Sequence, residues 1–327
     1  MKKTVSVAPM MDCTDKHEIY FLSLISKNIQ LYTEMIVANA IIRGDRKKLL
    51  SFKKISNPVT LQVGGSNPNE LAEACKISED FGYREINLNL GCPSKKVQKN
   101  KFGASLMQEP DLVARCIQAM TKATNLPITI KTRIGYNEVE NFKFLKSFIK
   151  TTKDAGSQKF IIHARKALLK KLSPKENLNI PPLKYDFVYK LKDHFKNDEI
   201  IINGGIKSIK EIKDHLHKVD GVMIGRAIYH SPYFLAEIEK EIFRNENVPT
   251  RSEVMENLIS YIREETSKGT QLNHIMRHTV GLFHGQNGSK IWKQYLSKNM
   301  CIRDADLKKV NHIMDQVKKT NPVSLER

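Results

Sequence analysis

The chemistry that stands out in this chain lies in residues 87–107, Asn-Leu-Asn-Leu-Gly-Cys-Pro-Ser-Lys-Lys-Val-Gln-Lys-Asn-Lys-Phe-Gly-Ala-Ser-Leu-Met. A buried strand, Glu85 to Leu90, delivers Asn89 and Cys92 to a loop that carries Lys95, Lys96, Lys99 and Lys101. A thiol at a strand end among cations is a candidate proton donor or nucleophile for a polyanionic substrate. An unperturbed thiol, of pKa about 8.5, is mostly protonated at neutral pH and can act as a general acid. The competing reading is a half-buried structural cysteine, since free cysteine packs as a small hydrophobe. The local sequence leaves these two readings level.

The other apolar runs end in the same way. Their C-terminal ends carry Pro9-Met10-Met11, Glu34, Gln62, Lys131 with Arg133, His163 with Arg165, Asn203-Gly204-Gly205 and Gly225-Arg226. One polar residue at a strand end is ordinarily a cap, but a series in phase along the chain is hard to assign to chance. Ile-Asn-Gly-Gly and Ile-Gly-Arg expose backbone N–H groups where no side chain blocks approach, which is how many barrels cradle a phosphate. Arg226 adds charge. With Lys131 and His163 in the ring, such a site could hold a flat cofactor with a phosphate tail. Lys131 would face an anionic ring edge, and Gln62 and Asn89 would bond its heteroatoms. Glu34 takes no role from the sequence.

These residues need strands to carry them. The runs Val5–Pro9, Gln30–Ile36, Val59–Val63, Glu85–Leu90, Ile128–Thr132, Lys159–His163, Glu199–Ile202 and Gly221–Ile224 read as strands. Helix-length segments separate most of them: Asn69–Phe81, Asp111–Thr124, Glu138–Ala155, Ile209–Leu216 and Ala227 onward. Val37–Lys54 is not cleanly periodic. Near-continuous apolar strands alternating with helices imply a parallel sheet covered on both sides. Eight such units predict an α/β fold, a closed (β/α)8 TIM barrel over residues 1–243. An open doubly wound sheet is the alternative, disfavoured because no G-x-G-x-x-G follows the first strand. Residues 244–327 change character: helices are expected at 252–268, 272–283, 289–299 and 304–318, as a small all-helical C-terminal domain.

The balance of 54 Lys and Arg against 35 Asp and Glu, a net charge of +19, favours a nucleic acid or another polyanion as partner. A lysine-rich compositional bias is the alternative. Five cysteines, Cys13, Cys75, Cys92, Cys116 and Cys301, form no C-x-x-C pair, so neither zinc nor an iron–sulfur cluster is expected. The odd cysteine count and the direct lead into strand sequence predict a cytoplasmic protein. No run is long and apolar enough to span a membrane.

Taken in order, Val-Ala-Pro-Met-Met-Asp (7–12), Leu-Gln-Val-Gly-Gly (61–65), Asn-Leu-Asn-Leu-Gly-Cys-Pro-Ser (87–94), Ile-Lys-Thr-Arg-Ile-Gly (130–135), Ile-His-Ala-Arg (162–165), Ile-Asn-Gly-Gly-Ile (202–206) and Met-Ile-Gly-Arg-Ala (223–227) resemble the tRNA-dihydrouridine synthases. Leu-Ser-Pro-Lys-Glu-Asn-Leu-Asn-Ile-Pro-Pro-Leu (172–183) and Gly-Leu-Phe-His-Gly-Gln (281–286) are similar to the bacterial A-type branch, which acts on the D-loop at positions 20 and 20a. The resemblance implies flavin-dependent reduction of a tRNA uridine to 5,6-dihydrouridine. Hydride would pass from reduced FMN to C6 and a proton from Cys92 to C5, with NADPH as reductant. By the same resemblance Pro9, Met10, Met11, Gln62, Lys131, His163, Asn203, Gly204, Gly205, Gly225 and Arg226 contact FMN. Asn89, Arg165, Lys175, Leu178, Lys290 and Lys293 would meet the tRNA. Leu178, Lys290 and Lys293 stand where that branch commonly has arginine, and lysine lacks arginine's planar fork. A monomer is expected, with no DNA or membrane partner. Two further readings compete: an FMN barrel reducing a free pyrimidine or another small enone, against which the basic helical C-terminal domain argues, and a non-catalytic tRNA-binding protein on an inherited barrel, against which Cys92, Lys131 and the glycine cradle argue.

Overall fold

The computed structural model describes residues 3–170 and 172–299. Cys301 and the helix expected at 304–318 lie outside the described residues. By its internal contacts the chain groups into two compact units. The first holds the residues up to Asp12, Gln30–Lys54 and Pro58–Ile224; the second holds Cys13–Ile29, Ile55–Asn57 and the chain from Gly225 onward.

The first unit is built on eight parallel strands: β1 (Thr4–Val7), β2 (Leu31–Val37), β3 (Val59–Gly64), β4 (Glu85–Leu90), β5 (Ile128–Arg133), β6 (Lys159–His163), β7 (Glu199–Asn203) and β8 (Gly221–Ile224). Their order is β1-β8-β7-β6-β5-β4-β3-β2. A parallel bridge between Ser6 and Gln30 joins the two ends of this order. There Val7 N–H donates to the Gln30 carbonyl at 2.9 Å, and Gln30 N–H to the Val5 carbonyl at 3.1 Å. The strands thus curl into the expected TIM barrel. All eight expected strands are present, displaced by at most two residues at either end.

The helices show why the sequence folds this way. On α6 (Pro110–Ala123) the buried residues are Val113, Cys116, Ile117 and Met120. On α7 (Phe142–Asp154) they are Leu145, Phe148, Ile149 and Thr152. Both follow the i, i+3, i+4, i+7 spacing of a one-sided helix, and each large side chain so buried stabilises by about 1.5–3 kcal/mol. Starts are marked chemically. Asn67 caps α4 (Pro68–Ser78), whose first residue is proline, Asn141 caps α7 and Ser208 caps α9 (Ile209–Leu216). The aperiodic stretch after β2 is two short helices, α2 (Ala38–Arg43) and α3 (Arg46–Leu50), broken at Gly44-Asp45. The lysine-rich segment after β4 is a short helix, α5 (Lys95–Lys99), capped by Ser94, and not an open loop. This unit also holds α8 (Tyr185–His194).

The second unit comprises α1 (Lys16–Ile25), α10 (Arg226–His230), α11 (Phe234–Glu241), α12 (Arg251–Ser267), α13 (Leu272–Met276) and α14 (Ser289–Asn299). A reciprocal capping box between Thr250 and Glu253 starts α12. The single helix expected at 272–283 is α13 followed by a 3-10 turn, Arg277–Gly281. Asp15 caps α1 and also accepts from Arg277 at 2.6 Å. Burial alone would raise its carboxyl, but the bonds and charge of His278, the Glu18 N–H and Arg277 hold it well below the usual range. Glu239 gathers the Ser26 hydroxyl, the N–H groups of Lys27 and Asn28 and the Asn245 amide. Among the described residues no helix is long and apolar enough to cross a membrane.

Candidate active site

Strand periodicity of two decides which side chains share the barrel interior. On β4 these are Glu85, Asn87 and Asn89; on β5, Thr129, Lys131 and Arg133; on β6, Lys159, Ile161 and His163. Register then sets neighbours: Asn89 stands beside Lys131, Arg133 beside His163, and His163 beside Asn203. Gln62 on β3 pairs with Asn87. An irregularity in β2 between Tyr32 and Met35 leaves the Gln62 N–H to the Thr33 hydroxyl, at 3.0 Å. Glu34 sits half-buried in that irregularity.

Cys92 is half-buried, just past the end of β4. Its backbone is held from two directions. Asn89 Oδ1 accepts the N–H groups of Gly91 at 3.1 Å and Cys92 at 3.0 Å. Arg133 Nε donates to the Gly91 carbonyl at 2.8 Å, while its Nη1 reaches the carbonyls of Lys166 and Asn177, both at 3.1 Å. Arg133 therefore staples the Cys92 loop to the loop after β6. Glycine is required at 103: a Cβ there would lie 2.7 Å from the Cys92 carbonyl oxygen, on a backbone at φ 71. Lys95, Lys96, Lys99 and Lys101 are exposed.

The mouth gathers the cations Lys131, Arg133 and Arg165 around His163. Lys131 is half-buried, and among the described residues no acceptor bonds its ammonium. Burial first, and the Arg133 charge second, push it down to about 7, partly offset by Cys92. Burial, and then repulsion from Arg165, lower Arg133 to about 10 against the opposing pull of Cys92. Burial and the cations Arg133, Lys131 and Arg165 drive His163 well below its ordinary value, so its ring is neutral at pH 7. The buried Nδ1 of His163 has no hydrogen-bond partner among the described residues. Beside it, Asn203 Nδ2 donates to the Met223 carbonyl at 2.8 Å. Gly204 and Gly205 follow with φ of 116 and 78, in the region L side chains avoid. A Cβ on Gly205 would lie 2.6 Å from Leu183 Cδ1. Among the described residues neither glycine N–H has a backbone acceptor, which leaves two donors side by side for an anion.

The other expected residues fall as follows. Pro9 and Met10 are half-buried after β1, and Met11 is exposed. Arg165 donates to the Pro181 carbonyl, and the neighbouring Lys166 is paired with Glu140 at 3.3 Å. Lys175 is exposed and Leu178 half-buried, on the loop that Asn177 ties together through Leu168, Leu172 and Ser173. Gly225 and Arg226 follow β8 in the chain and start α10, in the second unit. Lys290 and Lys293 are exposed on α14. Trp292 between them is fully buried, with Nε1 donating to the Thr279 carbonyl at 2.9 Å. His278 is buried against Asp15 and Glu18, so unlike the exposed His274 and His284 it offers nothing to a ligand.

Sequence reasoning missed Glu85, Asn87, Thr129 and the stapling role of Arg133. The signal was present in Glu-Ile-Asn-Leu-Asn-Leu (85–90), whose polar residues alternate with apolar ones.

The profile of the family described as "Dihydrouridine synthase (Dus)" matches residues 6–318. The chain belongs to the dihydrouridine synthase family. It is 48% identical over 302 residues to the tRNA-dihydrouridine(20/20a) synthase of Synechocystis sp., covering 92% of this chain and 90% of that relative. The protein of the same description from Vibrio cholerae is 47% identical over 315 residues, 96% of each chain. That of Escherichia coli K12 is 48% identical over 314 residues, 95% of this chain and 91% of the relative. Among solved structures, a mutant of morphinone reductase in complex with tetrahydroNAD aligns with a TM-score of 0.50 over 77% of this chain and 90% of its own. At 11% identity that likeness shows the fold alone. The family's match covers both units, and every expected site residue lies within it.

Proposed function

We propose that this chain reduces uridine to 5,6-dihydrouridine in the D-loop of tRNA, at positions 20 and 20a, with FMN as bound cofactor and NADPH as reductant. What carries the reading is the family membership together with one arrangement: a half-buried thiol held beside the cations Lys131 and Arg133 in the barrel mouth.

The mouth suits a flavin phosphate ester. Lys131 carries a charge that burial penalises and that nothing among the described residues bonds, and an anionic ring edge would relieve it. The free N–H groups of Gly204 and Gly205 suit a phosphate, and the orphaned His163 Nδ1 needs a partner. Pro9, Met10, Met11, Gln62 and Asn203 complete the set, while Gly225 and Arg226 enter it from their motif alone. Bound there, the reduced flavin would supply the reducing equivalent that adds at uracil C6.

The protein's own part is orientation and proton supply. As the C5=C6 π bond breaks, C6 gains its new hydrogen and negative charge develops on C5 and the neighbouring carbonyl oxygen. The Cys92 thiol gives its proton to C5, and the thiolate is reprotonated from solvent. Asn89 has one N–H not used in holding the loop, available to a uracil oxygen. The target base sits inside folded tRNA and must be extruded to reach this depth. Lys95, Lys96, Lys99 and Lys101 line the approach, and Arg165 and Lys175 lie on the loop after β6. Residues 244–327, with Lys290 and Lys293, serve as the tRNA-binding domain. The protein works as a cytoplasmic monomer.

The test uses the purified protein, its released cofactor identified by mass, and tRNA lacking dihydrouridine. Dihydrouridine should form at positions 20 and 20a with NADPH and not with free uridine as substrate. A purified protein without flavin, or one that reduces free uridine and ignores tRNA, would overturn the assignment.

A further inference from the structure

A chain of side-chain hydrogen bonds runs through the barrel interior from Glu85 to the backbone of Cys92. The Thr129 hydroxyl donates to Glu85 Oε1 at 2.8 Å. Asn87 Nδ2 donates to Thr129 Oγ1 at 2.9 Å, and Gln62 Nε2 to Asn87 Oδ1 at 2.9 Å. Asn89 Nδ2 donates to Gln62 Oε1 at 2.8 Å, and Asn89 Oδ1 accepts from Gly91 and Cys92. Glu85, Thr129, Asn87 and Gln62 are all at most 5% exposed, so water does not compete for these groups.

The direction of every link is dictated from both ends. Backbone N–H groups only donate, so Asn89 must turn its oxygen to the Cys92 loop and its nitrogen to Gln62. That forces the Gln62 nitrogen toward Asn87 and the Asn87 nitrogen toward Thr129. At the far end a carboxylate only accepts, so the Thr129 hydroxyl must point at Glu85 and leave its lone pair to Asn87. Glu85 is itself held by the Tyr32 hydroxyl at 3.0 Å and by Lys159 Nζ at 2.8 Å. Flipping any one amide would set donor against donor and acceptor against acceptor on both sides. Aligned hydrogen bonds of this kind polarise and strengthen one another in a low-dielectric interior.

We propose that Glu85, Thr129 and Asn87 are positioning residues for the reaction: they lock the amides of Gln62 and Asn89 in one orientation and through Asn89 fix the backbone that aims the Cys92 thiol. This rests on Cys92 being the proton donor proposed above. None of the three touches substrate; they act through Gln62 and Asn89.

The isosteric variant Thr129→Val removes the hydroxyl that links Asn87 to Glu85. The single-turnover rate on tRNA should fall about tenfold, the effect of one buried hydrogen bond, while KM for tRNA stays within about twofold. In the protein as isolated, alkylation of Cys92 by iodoacetamide, followed by mass spectrometry of its peptide, should speed up several-fold as the loop loosens. The half-buried Cys13, in the other unit, is the internal control and should not change. Thr129→Ser keeps the hydroxyl and should behave as wild type. If Thr129→Val leaves Cys92 alkylation and turnover unchanged, the relay does not position Cys92. A Thr129→Ser variant as impaired as Thr129→Val would show that packing matters and the hydroxyl does not. Should Thr129→Val fail to fold, Glu85→Gln removes the acceptor-only end at constant shape, and unchanged Cys92 alkylation there overturns the proposal. Wild-type turnover by Cys92→Ala would instead remove the acid assignment, and the alkylation rates would still decide the positioning.

Discussion

Replacing Lys131 by methionine should make the flavin-stripped protein more stable and the flavin-loaded protein less so. The ammonium is pushed down to about 7 from 10.5, chiefly by burial and then by Arg133. One pKa unit corresponds to about 1.4 kcal/mol, so the displacement taken whole is worth about 5 kcal/mol. That is an upper limit, because the side chain is half-buried and water screens part of the penalty. About 1–3 kcal/mol should therefore return at pH 6, where the lysine is charged in both the folded and the unfolded chain. The sign with pH follows. The folded pKa lies below the unfolded one, so between about pH 7 and pH 10.5 the unfolded chain binds more protons and wild-type stability rises with pH at this site. The variant has no such gain. Thermal melts of both stripped proteins at pH 6, 8 and 10 should show an advantage of a few degrees for the variant at pH 6, shrinking towards pH 10. Methionine packing adds an offset that does not depend on pH, so the change between pH 6 and 10 is the measured quantity. Adding FMN should reverse the ranking, because the wild type binds the anionic cofactor more tightly and gains more stability from it. An advantage equal at pH 6 and pH 10, or equal stabilisation of both proteins by FMN, would refute the view that Lys131 is a strained cation awaiting an anion.

Three further expectations are checked directly. Cys92→Ala should keep its flavin and its reduction by NADPH but lose about 10²–10⁴-fold in dihydrouridine formation, the usual worth of a general acid; a loss of only a few-fold would make water the donor. Gly205→Ala, at φ 78 and with its Cβ 2.6 Å from Leu183, should weaken FMN binding measurably in a fluorescence titration, and an unaltered affinity would move the phosphate elsewhere. Neutralising Lys290 and Lys293 together to alanine should lower the slope of log K against log salt for tRNA binding by about 1–2, since each makes at most one phosphate contact. An unchanged slope would place the tRNA on another face.

The strands were legible almost to the residue because a parallel barrel strand is buried on both faces and reads as a short apolar run between turns. What escaped were elements too short to show a period. Lys95–Lys99 is five residues long and is announced only by Ser94, whose hydroxyl accepts from Val97 N–H. Ala38–Arg43 and Arg46–Leu50 are split at Gly44-Asp45, and neither is long enough to present a stripe. The segment 272–283 looks continuous in sequence, but Gly281 passes the His230 carbonyl so closely that a Cβ would lie 2.3 Å from its oxygen. Tertiary contact, invisible to periodicity, sets the backbone there.

The candidate site was legible in its outer members and not in the groups that support them, for a physical reason. Lys131, His163, Cys92 and the glycine pair stand at strand ends, where any charged or flexible residue calls for explanation. Glu85, Asn87 and Thr129 lie inside strands, where a buried polar residue looks like noise until its partners are known. The barrel interior is in fact divided. Ala8, Tyr32, Ile161, Ile201 and Met223 form an apolar cluster, while β3, β4 and β5 contribute the polar relay. An unsatisfied buried amide costs about 1–3 kcal/mol, so three amides and a hydroxyl in a row are tolerable only if each satisfies the next. Such a row specifies one arrangement where an apolar filling would permit several, and the loop at its end carries Cys92, the thiol proposed to give its proton to C5.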